Sequence, residues 1–256
     1  MTLYFLGKLL PDSQLKFRLR DFVFSHLIYR LKWGTVETPL KDGLIGKFHN
    51  LIFHLKECYT TELIGYEKHY AIREGDVVVD AGAFTGHFTV YAAKKVGPRG
   101  KVISFEADPS IYRILEENVK LNNLTNVTLI NKGVWSSEAE LKFDSRANAS
   151  RILQGESADR AIKSIHTVSL DHALEQLGIS HVDLIKMDIE GAEIEAVKGS
   201  RRLMEQPGVH FAIASYHILD GVRTSTLLEP QFAALGYSAV TEYPSHLTTY
   251  ASISNS

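Results

Sequence analysis

From Asp76 onward the apolar positions fall into short continuous runs separated by stretches at helical spacing, the pattern of strands and helices alternating around a largely parallel sheet. Gly75-Asp76 breaks the chain before Val77-Val78-Val79, and so continuous an apolar run suits a strand covered on both faces. A helix is predicted from about Thr85 to Lys95, then the turn Gly97-Pro98-Arg99-Gly100 and a second strand from Lys101 to Phe105. Asp108 and Pro109 read as N-cap and first helical residue, with Ile111, Ile114, Leu115 and Val119 spaced to pack on the sheet. Val127 to Ile130 continues the series. Between Ser136 and Ser164 the alternation is lost: one strand, Ala139 to Phe143, sits in a polar segment that reads as an insertion or loop near a site. Regular structure resumes with Thr167 to Leu170, a helix from Asp171 to Leu177, a buried strand from Val182 to Met187 and a helix from about Ala192 to Met204. A strand from Val209 to Ala214, a helix across Ser225 to Leu235 and end strands near Tyr237 to Thr241 and Leu247 to Tyr250 follow.

The first 60 residues do not share this pattern and read as a helical extension, with the α/β domain running from 61 to 256. In Phe17 to Trp33, Phe22, Val23, Phe24, Leu27, Ile28 and Leu31 alternate with Arg18, Arg20, Arg30 and Lys32, which makes a basic amphipathic helix. Such a helix packs on its own domain, the reading kept here, or makes peripheral contact with a membrane or partner through residues 17–33. No signal-peptide pattern and no apolar run long enough to span a bilayer is expected at the N-terminus.

Composition narrows the field. Of 256 residues, 28 Lys and Arg nearly balance 30 Asp and Glu, so no bulk positive field draws the chain to nucleic acid. The single cysteine, Cys58, excludes an internal disulfide framework or a cysteine-based zinc site and fits a cytoplasmic location.

Candidate chemistry concentrates at strand ends. Asp80-Ala81-Gly82-Ala83-Phe84-Thr85-Gly86 lies between the first strand and its helix, where α/β sheets hold ligands, and its glycines permit a tight turn and close backbone approach. It lacks the paired early glycines of the dinucleotide fingerprint, and a diphosphate would be repelled by Asp80. S-adenosyl-L-methionine (SAM) makes the opposite demand: Asp80 can orient its ammonium group while loop N–H groups take its carboxylate. Glu106, at the end of the second strand, stands where nucleoside-binding folds place a carboxylate to accept from both ribose hydroxyls, whereas the N-cap role accounts for Asp108 without any ligand. Lys186-Met187-Asp188-Ile189-Glu190-Gly191-Ala192-Glu193 follows a buried strand and brings Asp188 to the same sheet edge. Glu190 and Glu193 read there as charges complementing a helix N-terminus, and Lys186 as half of a local ion pair.

Together the loop Asp80 to Gly86, Ile103-Ser104-Phe105-Glu106-Ala107-Asp108-Pro109, Thr167-Val168-Ser169-Leu170-Asp171 and Asp183 to Glu193 make the chain resemble the FkbM family of SAM-dependent methyltransferases over roughly residues 62–200. The resemblance implies a Rossmann-like class I methyltransferase fold, a mostly parallel sheet flanked by helices, with SAM as cofactor. It also implies O-methylation of a hydroxyl on a sugar, glycan or secondary metabolite. Asp80, Gly82, Ala83, Gly86, Glu106, Ala107, Gly133 and Asp188 form the expected cofactor set, with Lys186, Asp188 and Glu190 bordering the active site. Where the family often carries an acidic residue and then a histidine, this chain reads Ser215-Tyr216-His217.

The catalytic candidates are His217, Asp188 and Lys186. An alcohol must lose its proton, and a neutral His217 with an ordinary pKa of about 6.5 is the preferred base, Asp188 the alternative. His87 and His246 read as structural or peripheral. Mg²⁺ prefers oxygen ligands and no second acid stands convincingly beside Asp188, so no metal is expected. Arg146, Asn148, Ser150 and Arg151 could bind a hydroxyl-rich acceptor or simply be solvated. The rival readings are a tRNA base methyltransferase, a non-catalytic SAM-binding or membrane-attached protein, and an NAD-dependent dehydrogenase. The partner expected is a small-molecule or glycan acceptor bearing a hydroxyl, and a homo-oligomer stays open.

Overall fold

A computed structural model describes residues 35–49, 59–144, 151–152 and 162–253. The amphipathic stretch 17–33, Cys58, Arg146, Asn148 and Ser150 lie outside the described residues, as do the side chain of Arg151 and most of the insertion.

The described chain begins with strands β1 (Thr35–Pro39) and β2 (Ile45–His49), then α1 (Tyr59–Tyr66), β3 (Val77–Ala81), α2 (His87–Val96), β4 (Lys101–Phe105), α3 (Pro109–Leu121) and β5 (Val127–Ile130). Next come β6 (Gly133–Val134), β7 (Ala139–Asp144), β8 (Arg151–Ile152), β9 (Ile162–Val168), α4 (Leu170–Gln176), β10 (Leu184–Met187), α5 (Glu193–Lys198), α6 (Arg201–Met204) and β11 (His210–Ala214). A short hairpin of β12 (Ile218–Leu219) and β13 (Val222–Arg223), α7 (Thr224–Ala234), β14 (Ser238–Glu242) and β15 (Thr248–Ser252) complete it.

Seven strands form the central sheet in the order β14-β15-β11-β10-β3-β4-β5. The pairs from β11 to β5 are parallel, and β15 runs antiparallel between β11 and β14. Side chains alternate between two cores, as a strand's period of two requires. Val78, Val102, Leu184 and Ala212 join Tyr91 and Val90 on one face, while Val79, Ile103, Ile185 and Phe211 join Leu170, Leu203 and Phe232 on the other. This double burial is why these strands read as unbroken apolar runs. The chain winds from β3 out to β5 and returns on the other side of β3 as β10, so β3 and β10 flank the topological switch point, where such sheets bind ligands.

Three departures from the sequence reading have local causes. Residues 35–49 form an antiparallel hairpin, not a helix: Phe48 is fully buried beside Val78 and Tyr91, and His49 and Lys47 donate backbone N–H groups to Asn118 of α3 and to Asn122 at its C-cap, at 2.7 and 2.9 Å. The expected helix 192–204 breaks in two at Gly199 and Ser200, where Ser200 leaves helical geometry (φ −121°, ψ 18°), and glycine at 199 gives room to the Trp135 carbonyl, which would lie 2.4 Å from a Cβ there. Residues 162–168 form β9, which pairs with β6 and β7 in a separate four-stranded sheet of order β6-β9-β7-β8, where a polar segment with one strand, Ala139 to Phe143, was expected up to Ser164 and regular structure only from Thr167.

Asp108 caps α3 as expected, accepting from Ser110 N–H at 2.7 Å ahead of Pro109. Asp108→Ala should therefore lower the unfolding free energy by about 1 kcal/mol in a urea titration, and an unchanged midpoint would deny the cap any contribution. Among the described residues no helix is long and apolar enough to cross a membrane.

Candidate active site

The loop after β3 is shaped by three left-handed residues, Gly82 (φ 77°), Phe84 (φ 49°) and Gly86 (φ 90°). Glycine at 82 answers to the neighbouring strand as much as to any ligand: an added Cβ would lie 1.9 Å from the Asp188 carbonyl oxygen. At Gly86 it would meet Leu115 at 2.6 Å. Gly82 and Ala83 both donate N–H to the Phe105 carbonyl at 3.0 and 2.9 Å, which ties the loop to the end of β4.

Glu106 follows directly. Its carboxylate accepts N–H groups of Phe84 at 2.9 Å and Asp108 at 2.9 Å, and the residue is 8% exposed. Burial, only partly offset by these two hydrogen bonds, pushes its pKa up to about 7. Ala107 and Gly133 meet beside it: a Cβ on Gly133 would lie 3.6 Å from that of Ala107, and Asn131 donates to the Glu106 carbonyl at 2.8 Å.

Asp80 lies deeper than the sequence reading placed it. The parallel register sets Lys186 directly opposite it, and the Lys186 ammonium donates to Asp80 Oδ1 at 2.9 Å and to the Gly82 carbonyl at 2.7 Å. Thr89 donates its hydroxyl to Asp80 Oδ2 at 2.6 Å, and Asp80 is 0% exposed. Both Asp80 oxygens thus accept from the chain's own donors. Asp80 anchors Lys186 and, through it, the loop. Lys186 is 5% exposed and lies over the rings of Tyr66 (5.5 Å) and Phe88 (5.8 Å).

Beyond β10, Asp188 accepts hydroxyls of Tyr66 at 3.1 Å and Tyr216 at 3.3 Å, and His246 Nε2 lies 3.8 Å away. Tyr66 and Tyr216 both meet the His246 ring edge-on, with centroids at 5.3 and 5.0 Å. Burial holds the His246 pKa below the usual histidine range. So His246, expected to be peripheral, stands beside Asp188, whereas His87 stacks on Phe48. Tyr66 comes from a helix with no motif of its own, and nothing in the sequence marks it.

His217 differs most from the reading that made it a neutral base. Its Nδ1 lies 3.0 Å from Glu193 Oε1, and its Nε2 lies 3.2 Å from Glu190 Oε2 and 3.5 Å from Asp188 Oδ1. The angles are those of close ion pairs and not of aligned hydrogen bonds. Burial alone would lower its pKa, but Glu190, Glu193 and Asp188 outweigh it and raise the value to about 10. A ring so surrounded holds its proton more firmly than the neutral base expected from an ordinary histidine. Burial raises the Glu190 carboxyl above the usual range against the pull of His217. Glu190 is also the acid beside Asp188 that the sequence reading did not find there: a left-handed turn (φ 58°) swings it back toward the strand end.

The Methyltransferase FkbM domain profile matches residues 80–233. Methyltransferase sdnD of Sordaria araneosa is 30% identical over 48% of this chain, an alignment that spans 59% of that protein, so the chain covers little more than half of its length. Hexuronic acid methyltransferase AglP of Haloferax volcanii is 27% identical over 78% of this chain and 81% of its own. The crystal structure of the FkbM methyltransferase from Methylobacillus flagellatus superposes with a TM-score of 0.54 at 19% identity, over 74% of this chain and 47% of that one, and shares the fold. With the profile spanning both banks of the switch point, the chain belongs to the FkbM methyltransferase family, within the SAM-dependent methyltransferase fold.

Proposed function

We propose that this chain transfers the methyl group of SAM to an oxygen of a small, polar, hydroxyl-bearing acceptor of the sugar or glycan class. The observation that carries this reading is the position of one loop: Gly82 packs on the Asp188 carbonyl while Phe84 N–H reaches Glu106, so a nucleoside-type acid and an acceptor-type acid face the same turn from opposite sides. A sugar-class acceptor draws support from the relative named as a hexuronic acid methyltransferase.

The residues present fit the donor. Glu106 offers a carboxylate, prepositioned by two backbone N–H groups, to a pair of ribose hydroxyls; Ala107 and Gly133 leave a flat, small-residue flank for a purine; Gly82 to Gly86 supply close-approach backbone. When bound, SAM would supply a methyl carbon open to in-line attack by an acceptor oxygen, with the neutral thioether as leaving group. Tyr66, Tyr216 and His246 give the acceptor an aromatic and polar wall around Asp188, which is the acid placed to orient its hydroxyl and to accept the proton as the new bond forms.

The test is calorimetric titration with SAM and with NAD, followed by transfer of labelled methyl to uronic acids and neutral sugars beside a tRNA control. SAM binding with label on a sugar supports the reading; label on tRNA alone, or no SAM binding by folded protein, overturns it. A pH dependence follows from Glu106. Its carboxylate form accepts the hydroxyls and its pKa stands near 7, so affinity for SAM is full above that value and falls below it. The dissociation constant should be about tenfold weaker at pH 6 than at pH 8, since protonation competes tenfold per pH unit below the pKa. A flat profile would mean that Glu106 is ionised throughout or does not touch the cofactor.

A further inference from the structure

We propose that Asp188, Glu190 and His217 form a divalent-cation site at the acceptor edge of the sheet, with Glu193 as the group that orients the histidine. One oxygen of each carboxylate and one nitrogen of His217 lie within 4.8 Å of one another. Glu190 Oε2 and Asp188 Oδ1 stand 3.2 and 3.5 Å from the same nitrogen, Nε2. Ligand atoms about 2.0–2.2 Å from a shared metal are separated by roughly 3 Å at right angles and by more at tetrahedral angles, so a cation fits among these three with little movement.

Two independent features point to a ligand there. The His217 ring is 8% exposed, is aimed into the cluster, and has no aligned hydrogen-bond partner at either nitrogen, an unusual state for a buried imidazole. Its other nitrogen, Nδ1, faces Glu193 Oε1 at 3.0 Å, and Glu193 is fully buried and steadied by the N–H groups of Ile189 (3.2 Å) and Gly191 (3.3 Å). A carboxylate behind a histidine is the arrangement that fixes the tautomer of a metal-bound imidazole, leaving the Nε2 lone pair toward the ion. Tyr66 and Tyr216 steady Asp188 in the same manner.

Charge agrees. The carboxylates of Asp188, Glu190 and Glu193 surround one imidazole, while Lys186 is committed to Asp80. Metal binding displaces the Nε2 proton, so the three carboxylates then carry three negative charges, of which a divalent ion balances two. One imidazole with two carboxylates is a mixed nitrogen and oxygen set, suited to Mn²⁺ better than to Ca²⁺, and it leaves positions open to water or to paired acceptor oxygens. That last role rests on the proposed methyl transfer; the site itself does not.

The experiment is titration of chelator-treated full-length protein with Mn²⁺, followed by electron paramagnetic resonance of the free ion, with SAM calorimetry on the same preparation. The expected result is one Mn²⁺ per chain. Glu190→Gln should weaken it at least tenfold and Glu193→Gln by about 10- to 100-fold, with circular dichroism unchanged. The proposal is overturned if folded wild-type protein binds Mn²⁺ no tighter than about 1 mM, or if both variants bind it as well as wild type. SAM binding without Mn²⁺ binding would sink the metal site alone, and Mn²⁺ binding without SAM binding would support the site and sink the methyl-transfer reading. Should Glu190→Gln misfold, retention of Mn²⁺ by Glu193→Gln at wild-type affinity is itself sufficient to reject the proposal.

Discussion

Lys186→Met should lower the free energy of unfolding by about 3–5 kcal/mol, the cost of leaving one member of a buried ion pair without the other. Asp80 is 0% exposed and Lys186 5%, so water cannot take the place of the ammonium, and only Thr89 would remain to Asp80. The double variant Asp80→Ala/Lys186→Met removes both charges and should recover much of that loss, although Thr89 then loses an acceptor and the Gly82 carbonyl a donor. Urea unfolding of the wild type, the two singles and the double closes the cycle. A single-variant loss under about 1 kcal/mol would show that the pair does not hold the site together. The loop after β3 should also loosen, because the same ammonium grips the Gly82 carbonyl at 2.7 Å.

Glu106→Ala should raise the dissociation constant for SAM by about 100-fold or more. Two hydroxyl donors to an ionised acceptor contribute roughly 1.5–3 kcal/mol each in such surroundings, and removal of the carboxylate also frees the N–H groups of Phe84 and Asp108 that shape the loop. Glu106→Gln keeps an acceptor oxygen and should lose less, and its pH profile between 6 and 8 should be flat. Calorimetry on the three proteins decides between a cofactor contact and a fold effect. An alanine variant that binds SAM as well as wild type does would place the nucleoside elsewhere.

The parallel sheet was legible because its strands are buried on both faces, and burial on both faces writes itself as unbroken runs such as Val77-Val78-Val79. The cap at Asp108 and Pro109 was legible for a different reason: it is local chemistry confined to three residues. The hairpin at 35–49 was not. Its stability comes from Asn118 and Asn122, some 70 positions away, and from a core that Phe48 enters only once the sheet exists. At the site, the position of Glu106 followed from strand-end logic, but the surroundings of Asp80 and His217 turned on neighbours. The register of β10 against β3 decides that Asp80 meets Lys186, and the turn at Glu190 decides that His217 meets carboxylates. Spacing along a chain carries neither fact. Tyr66 reaches Asp188 across 122 positions and belongs to the same class.

The close seat of Gly82 on the Asp188 carbonyl has a thermodynamic side. The two loops touch with no side chain between them, and Asp188 N–H is bonded to the Ala81 carbonyl at 3.0 Å, so neither bank can shift alone. On the proposed reading, work done on Asp188 by an incoming acceptor would be delivered to the turn beneath the donor. By linkage, any free energy so delivered enters both association constants by the same factor, and the first molecule to arrive makes part of the place for the second.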